Sequence, residues 1–460
     1  MRHAIIDIGS NAIRAVIHEK NSLCASEVYN EKFRSDLIGL LDLAEPDVKH
    51  SVYLVIQHFV HVFKHLKVQT IKCVATAVLR NHQNAPAFVK LVKDRYDIEI
   101  EVISGEKEAY LSAAGLMMGI NKAEGLVADL GGGSLELAEI KDKEVGKRGS
   151  LALGTNIIET SITEDEIKDT ILKSFEYNQY KNLYLIGGAF RMLGRAYMEY
   201  TRYPLKNLHN LCISSEDFGQ FLDRPEEFAQ DFDTNRMADQ KGMIILKTII
   251  DLFGIEKVII SNYGLKEGVR FVNLPAGERA KDIVRARCEY LSGTKAKDCK
   301  FSEYYQITQP LLIEPDHSIE ELIELVIMFS TINVNVDKAT KASFMADYVI
   351  SCDVPFTHKQ RVMIAIALSY IFGAKPDHMV ERLAKKVLSR EEQSNALIIG
   401  CVLKIAHEID GPLLHKPSFK FLLKERYIEI DAKEILPRPV FERICDRLRN
   451  IAVSRRTRRY

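Results

Sequence analysis

Two separated stretches of the chain carry one design. Ile5-Ile6-Asp7-Ile8-Gly9-Ser10-Asn11 runs on into residues 12–17, and Leu126-Val127-Ala128-Asp129-Leu130-Gly131-Gly132-Gly133-Ser134 runs on into residues 135–140. Each is an apolar strand ending in aspartate, a glycine turn that holds a serine, and a second strand. Aligned on the aspartates, the first glycines also align, and the second copy has the longer glycine run. A single D-x-G-S turn is a common structural corner. Three successive glycines cost more chain entropy, and a second copy between apolar strands points beyond a corner. Glycine admits positive φ and close backbone approach, and successive N–H groups in such a turn form a nest for anionic oxygens. Ser10, Asn11 and Ser134 add side-chain donors. Asp7 and Asp129 would repel a phosphate themselves, but they suit a hard divalent cation that also takes water and phosphate oxygens. Two such hairpins facing one cleft would hold a phosphate chain from both sides. A helix-borne P-loop is not the device, since the chain has no G-x-x-x-x-G-K-[ST].

Around these hairpins the chain alternates strand-like and helix-like segments. Residues 4–7 and 14–18 read as strands, 51–67 as a helix, 72–75 as a strand, 86–96 as a helix and 99–103 as a strand. Residues 126–129 and 136–140 form the second strand pair. Residues 183–186 and 257–260 are buried-strand candidates, each followed by a glycine turn and a helical pattern. Such alternation argues for an α/β architecture. Past Leu274-Pro275-Ala276-Gly277 the patterns turn helical, over 319–329, 359–372, 379–388, 394–409 and 439–453, with Gly373, Pro376, Gly411 and Pro412 between them. An all-α carboxy-terminal domain is predicted. The predicted division is 1–122, 123–280 and 281–460.

Further motifs fall in a recognisable order. Asp7–Asn11 is followed by Ala75-Thr76-Ala77-Val78-Leu79-Arg80 with Asn84, then by Ile103-Ser104-Gly105-Glu106-Lys107-Glu108-Ala109. After Asp129–Ser134 and Glu136 come Gly187-Gly188-Ala189-Phe190-Arg191 and Ser261-Asn262-Tyr263-Gly264-Leu265-Lys266-Glu267-Gly268. This set resembles the exopolyphosphatase and guanosine pentaphosphate phosphohydrolase family over about residues 1–275. The resemblance implies two actin-like (ribonuclease H-like) α/β subdomains flanking a cleft. Many members carry a carboxy-terminal domain related to the HD phosphohydrolases. This chain has no His-Asp dipeptide, so a degenerate HD-like domain is expected, serving dimerisation or a substrate channel. Ala189 stands where the family has threonine, Lys266 where it has arginine, and Ala12 where serine is common.

The resemblance also assigns roles. Glu108 becomes the general base. From the residues alone, Ser104 can cap a helix, and Glu106 and Glu108 in its first turn could equally just complement the helix dipole. Mg²⁺, or Mn²⁺ in its place, is assigned to Asp129, with Asp7 in its inner or outer shell. Ser10, Asn11, Gly131, Gly132, Gly133 and Ser134 are expected to bind phosphate oxygens. Arg14, Arg80 and Arg191 are candidates for contacts with the phosphate chain, and each could instead be a structural ion-pair partner.

The balance of 63 basic and 63 acidic residues means that any polyanion-binding surface arises from local arrangement. No apolar run reaches the ~18 residues that span a bilayer, and a folded-looking strand at 4–8 argues against a signal peptide. Eight scattered cysteines without a C-x-x-C pair fit a reduced, cytoplasmic protein. The expected partners are an anionic substrate and a second copy of the chain, with no nucleic acid and no membrane. The expected reaction is removal of the terminal phosphate of inorganic polyphosphate. The alternatives are hydrolysis of guanosine pentaphosphate and a catalytically weak polyphosphate or nucleotide sensor. A sugar kinase or chaperone-type ATPase would need an adenosine pocket, and no segment identifies one. His58, His61 and His65 share a helix face without nearby carboxylates, which argues against a metal site.

Overall fold

In the computed structural model the described residues are 1–43, 48–159, 161–224, 236–295, 299–424, 428–432 and 436–456. They divide into two compact units, one of Met1–Arg202 with Leu208–Ile283, the other of Tyr203–Asn207 with the chain from Val284 onward.

The first unit is built on two sheets. One has the strands β1 (Arg2–Ile8), β2 (Ala12–His18), β3 (Glu27–Arg34), β4 (Val68–Ala75) and β5 (Ile100–Val102) in the order β3-β2-β1-β4-β5. The other has β6 (Gly125–Leu130), β7 (Leu135–Lys141), β8 (Glu144–Leu151), β9 (Asn182–Ile186), β10 (Leu211–Ser214) and β11 (Lys257–Ile260) in the order β10-β11-β9-β6-β7-β8. In each sheet an antiparallel meander (β1-β2-β3, β6-β7-β8) is extended by parallel strands beside its first member (β4 and β5, β9 and β11). The internal echo of the sequence is therefore one topology made twice. It is the duplicated actin-like arrangement that the family resemblance implies.

The alternation of side chains along a strand explains where the aspartates point. On β1, Ala4, Ile6 and Ile8 enter a core with Phe59 and Phe63 of the Ser51–His65 helix. Ile5 faces the other way, packing with Leu111 of the Gly105–Gly119 helix and Val269 of the Leu265–Val272 helix. Asp7 shares the parity of Ile5 and so lies on the face covered by the Gly105–Gly119 helix. On β6, Val127 packs against Ala109, Ala113 and Leu116 of that same helix, and Asp129 shares the parity of Val127. One helix thus serves both sheets, and the aspartate of each sheet turns towards it. Its start is fixed by Ser104, whose hydroxyl accepts the Lys107 N–H at 3.2 Å.

Strands β3, β8 and β10 are absent from the sequence expectation. β3 and β8 are edge strands rich in charge or glycine, whose pairing comes from their neighbours rather than from an apolar pattern of their own. The second unit is largely helical, as expected. Its best-defined helices are Ser318–Ser330, His358–Ile371 and Arg390–Asp410, the last two opened by Thr357–Gln360 and Ser389–Glu392 capping boxes. The expectation of an all-α domain is corrected by one hairpin, β12 (Phe419–Leu423) with β13 (Ile428–Ala432). Phe419 and Phe421 alternate with outward-facing Lys420, the two-residue period of a strand with one face on the core. Among the described residues no helix is long and apolar enough to cross a membrane.

Candidate active site

The turn from β1 to β2 is closed by a hydrogen bond from the Gly9 N–H to the Ala12 carbonyl (3.0 Å). The turn from β6 to β7 is closed by its counterpart, from the Gly131 N–H to the Ser134 carbonyl (2.9 Å). Of the two expected reasons for the glycines, positive φ and close approach, the first does not apply here. None of Gly9, Gly131, Gly132 and Gly133 has positive φ. At Gly132 and Gly133 what requires glycine is close approach by other parts of the chain. A Cβ on Gly133 would lie 2.7 Å from the Ala77 Cβ and 3.3 Å from the Ser10 Oγ, and one on Gly132 would lie 2.7 Å from the Asn156 Nδ2. That Asn156 amide donates to Asn11 Oδ1 at 2.8 Å, tying the loop after the second hairpin to the first hairpin.

The two hairpins border one cavity of about 520 Å³. Asp7, Ser10, Asn11, Arg14, Glu108, Asp129, Gly131, Gly132, Gly133, Ser134 and Arg191 all line it. Arg80 does not. It stands behind Glu108, donating to Glu108 Oε2 (3.0 Å) and to the Ile103 carbonyl (2.9 Å). Arg14 lines the cavity while its guanidinium donates to Asn30 Oδ1 (2.9 and 2.7 Å). Arg191 donates from Nε to the Gly187 carbonyl (2.9 Å).

Three carboxyl groups on the cavity, Asp7, Glu108 and Asp129, and Glu136 near Glu108 sit where protons are favoured. Burial, then the charge of Asp129, pushes the Asp7 carboxyl up to about 6. Burial pushes Glu108 up to about 7 against the opposing pull of Arg80. Asp129 is raised by burial although Ser112 Oγ donates to its Oδ2 at 2.5 Å. Glu136 is raised well above the usual range by burial and by Glu108, although Ser150 Oγ donates to it at 2.7 Å. Buried carboxyl groups this close to one another could hold a cation. Among the described residues no group of three or more His, Cys, Asp or Glu is placed to hold a metal ion. Two aspartates on an open cavity fit Mg²⁺, which keeps several waters and takes phosphate oxygens to complete its shell.

Residues 5–276 match the model of the Ppx/GppA phosphatase family. The chain belongs to this family.

Its likeness to individual relatives is lower. A bifunctional 3-dehydroquinate synthase/phosphatase of Fusobacterium nucleatum is 28% identical over 299 residues, which are 56% of this chain and 44% of the relative. The chain thus spans less than half the length of that curated relative. The structure of the Aquifex aeolicus PPX-GPPA enzyme is 23% identical with a TM-score of 0.50, covering 58% of this chain and 98% of that one. An exopolyphosphatase from Cytophaga hutchinsonii is 18% identical with a TM-score of 0.50, covering 62% and 99%. At these identities the two structures share the fold.

Within this family member the cavity holds charges that the motifs did not disclose. Lys32 lies on β3, in register with Arg14 on β2, and also lines the cavity. Its ammonium is lowered by burial and by the charges of Arg191 and Arg14. Only strand pairing brings Lys32 here, so no sequence signal marked it. Arg195 lines the cavity one helical turn after Arg191, a spacing the sequence did offer. Ser112 likewise follows Glu108 by one turn. Lys266, the replacement for arginine, lines the cavity and pairs with Glu267 and, at 3.8 Å, with Glu27. Burial alone would raise Glu267, but Lys266 and the Gly264 N–H hold it below the usual range. His58 is exposed on its helix and packs its ring edge-on to Phe33.

Proposed function

We propose that the chain is a phosphoric-anhydride hydrolase that removes the terminal phosphate of inorganic polyphosphate, with Glu108 as general base. The observation that carries this reading is the meeting of the two glycine hairpins, Asp7, Asp129 and Glu108 on one open cavity. Family membership supports phosphatase chemistry. The cavity's cations (Arg14, Lys32, Arg191, Arg195 and Lys266) favour a ligand with several phosphates in a row.

In this reading Ser10, Asn11 and the backbone and hydroxyl of residues 131–134 bind the oxygens of the terminal phosphates. Arg14 and Arg191 contact the chain, and Arg80 acts by orienting Glu108. Mg²⁺ held by Asp129, with Asp7 in its inner or outer shell, would neutralise oxygens of the phosphates being separated. Glu108 orients a water in line with the terminal phosphorus and takes its proton. The water oxygen bonds to phosphorus, the bridging P–O bond breaks, and the electron pair stays on the shortened chain. A base near neutrality is well matched to this task and contributes about 10²–10⁴-fold. Positioning and charge neutralisation supply most of the rest, since phosphoryl transfer asks little covalent chemistry of the protein.

The test is phosphate release from long polyphosphate, guanosine pentaphosphate and ATP, with and without Mg²⁺, by wild type and Glu108→Gln. Release from polyphosphate that needs Mg²⁺ and Glu108 is expected. Turnover of the pentaphosphate alone would replace the substrate, and polyphosphate binding without turnover would make the chain a sensor.

A further inference from the structure

A second cavity, of about 640 Å³, shares Gly133 and Ser134 with the first. Between the two stands the ion pair already described, with Glu108 facing the first cavity and Arg80 facing the second. The charged side chains that line the second cavity are Arg80, Arg148 and Glu106, two cations to one anion. Arg148 lies over the Tyr110 ring at 5.5 Å and donates to the Gly146 carbonyl at 3.3 Å, which occupies few of its five donors.

In-line attack sets the water and its base opposite the leaving oxygen. The polyphosphate chain must then extend away from Glu108, and the freed orthophosphate is left between Glu108 and the shortened chain. It can return through the first cavity only if that chain lets go. The chemistry itself loosens the other wall. Once Glu108 has taken the water's proton it is neutral, and the attraction that held Arg80 at 3.0 Å is lost just as a phosphate appears beside it. A guanidinium released from a carboxylic acid pairs strongly with phosphate oxygens.

We propose that the second cavity is an exit chamber for orthophosphate, that Arg80 is its gate and that Arg148 draws the product outward, so that the shortened chain stays bound for the next cleavage. The proton on Glu108 departs with the phosphate, which restores the carboxylate and the ion pair. This rests on the hydrolase reading.

The decisive measurement is product inhibition. Orthophosphate that enters from the rear while a chain occupies the front should lower kcat and leave KM for long polyphosphate unchanged. Purely competitive inhibition would overturn the exit. Two variants outside the catalytic machinery test it independently. Ala152 lines the chamber just past the end of β8 and is exposed, so Ala152→Trp can narrow the chamber without burying a new side chain in the sheet. It should slow steady-state phosphate release at least about fivefold, leave the single-turnover cleavage rate unchanged, and produce a ladder of intermediate chain lengths where wild type shows none. Arg148→Glu should weaken the inhibition by orthophosphate in the same assay. Wild-type release rates and inhibition in both variants would sink the exit while leaving the hydrolase standing. Full activity in Glu108→Gln would instead remove the hydrolase mechanism and the exit with it.

Discussion

Glu108 and Arg80 define a pair whose balance sets the pH response. Burial raises Glu108 to about 7, and Arg80 opposes that rise. A general base must be ionised, so kcat/KM for polyphosphate should climb as pH rises through about 7. Removing Arg80 removes a force that favours the carboxylate. The ascending limb in Arg80→Ala should therefore move to higher pH, and a pH–rate profile that stayed in place would separate Arg80 from Glu108. Glu108→Gln keeps the shape of the side chain but cannot take a proton. Its phosphate release should fall about 10²–10⁴-fold while polyphosphate binding, measured by calorimetry, changes little.

At the scale of elements, the Gly105–Gly119 helix is held against the Leu265–Val272 helix by two glycines. A Cβ on Gly268 would overlap the Leu111 carbonyl, and a Cβ on Gly115 would overlap the Gly264 carbonyl. These positions are the last glycine of the S-N-Y-G-L-K-E-G motif and a glycine in the middle of the helix that carries Glu108 and Ser112. Alanine normally favours a helix over glycine by about 0.8–1.0 kcal/mol. Here the clash is with backbone that cannot swing aside, and overpacking costs about 1–3 kcal/mol or more. Gly268→Ala should therefore lower Tm, and an unchanged or raised Tm would show that the two helices can part without cost. Gly133→Ala makes the same test for the hairpins. Its methyl would meet Ala77 at 2.7 Å, and the expected result is weaker polyphosphate binding.

For the whole molecule, four raised carboxyl groups make stability depend on pH. A carboxyl that is raised on folding binds its proton more tightly in the native state. Its contribution is present at low pH and is lost as pH climbs from the unfolded value, about 4, towards the folded value. For Asp7 and Glu108 the folded values are about 6 and about 7. The cation-free protein should lose this contribution between about pH 4 and 7, and added Mg²⁺ should raise Tm more at about pH 8 than at about pH 5. An equal gain at both would mean that Mg²⁺ does not neutralise this cluster.

Much of this molecule was legible in its sequence, because the relevant signals are local. The duplicated strand–glycine–strand design and the Ser104 cap are properties of neighbouring residues, governed by periods of 2 and 3.6. The hairpin glycines could be located but the contacts that require Gly132 and Gly133 could not, since close approach to Ala77, Ser10 and Asn156 exists only between segments far apart in the chain. Lys32 reached the cavity through an edge strand without an apolar pattern of its own, and Arg80 was turned behind Glu108 by a fold that also opened a chamber beyond it. The sequence by itself determined the two glycine hairpins and their aspartates as candidates for phosphate chemistry, because that depends on residue type and short spacing. Only the tertiary structure decided which residues face the cavity, which stand behind it and how strongly their charges act, because burial and electrostatic coupling depend on distances that spacing along the chain does not set.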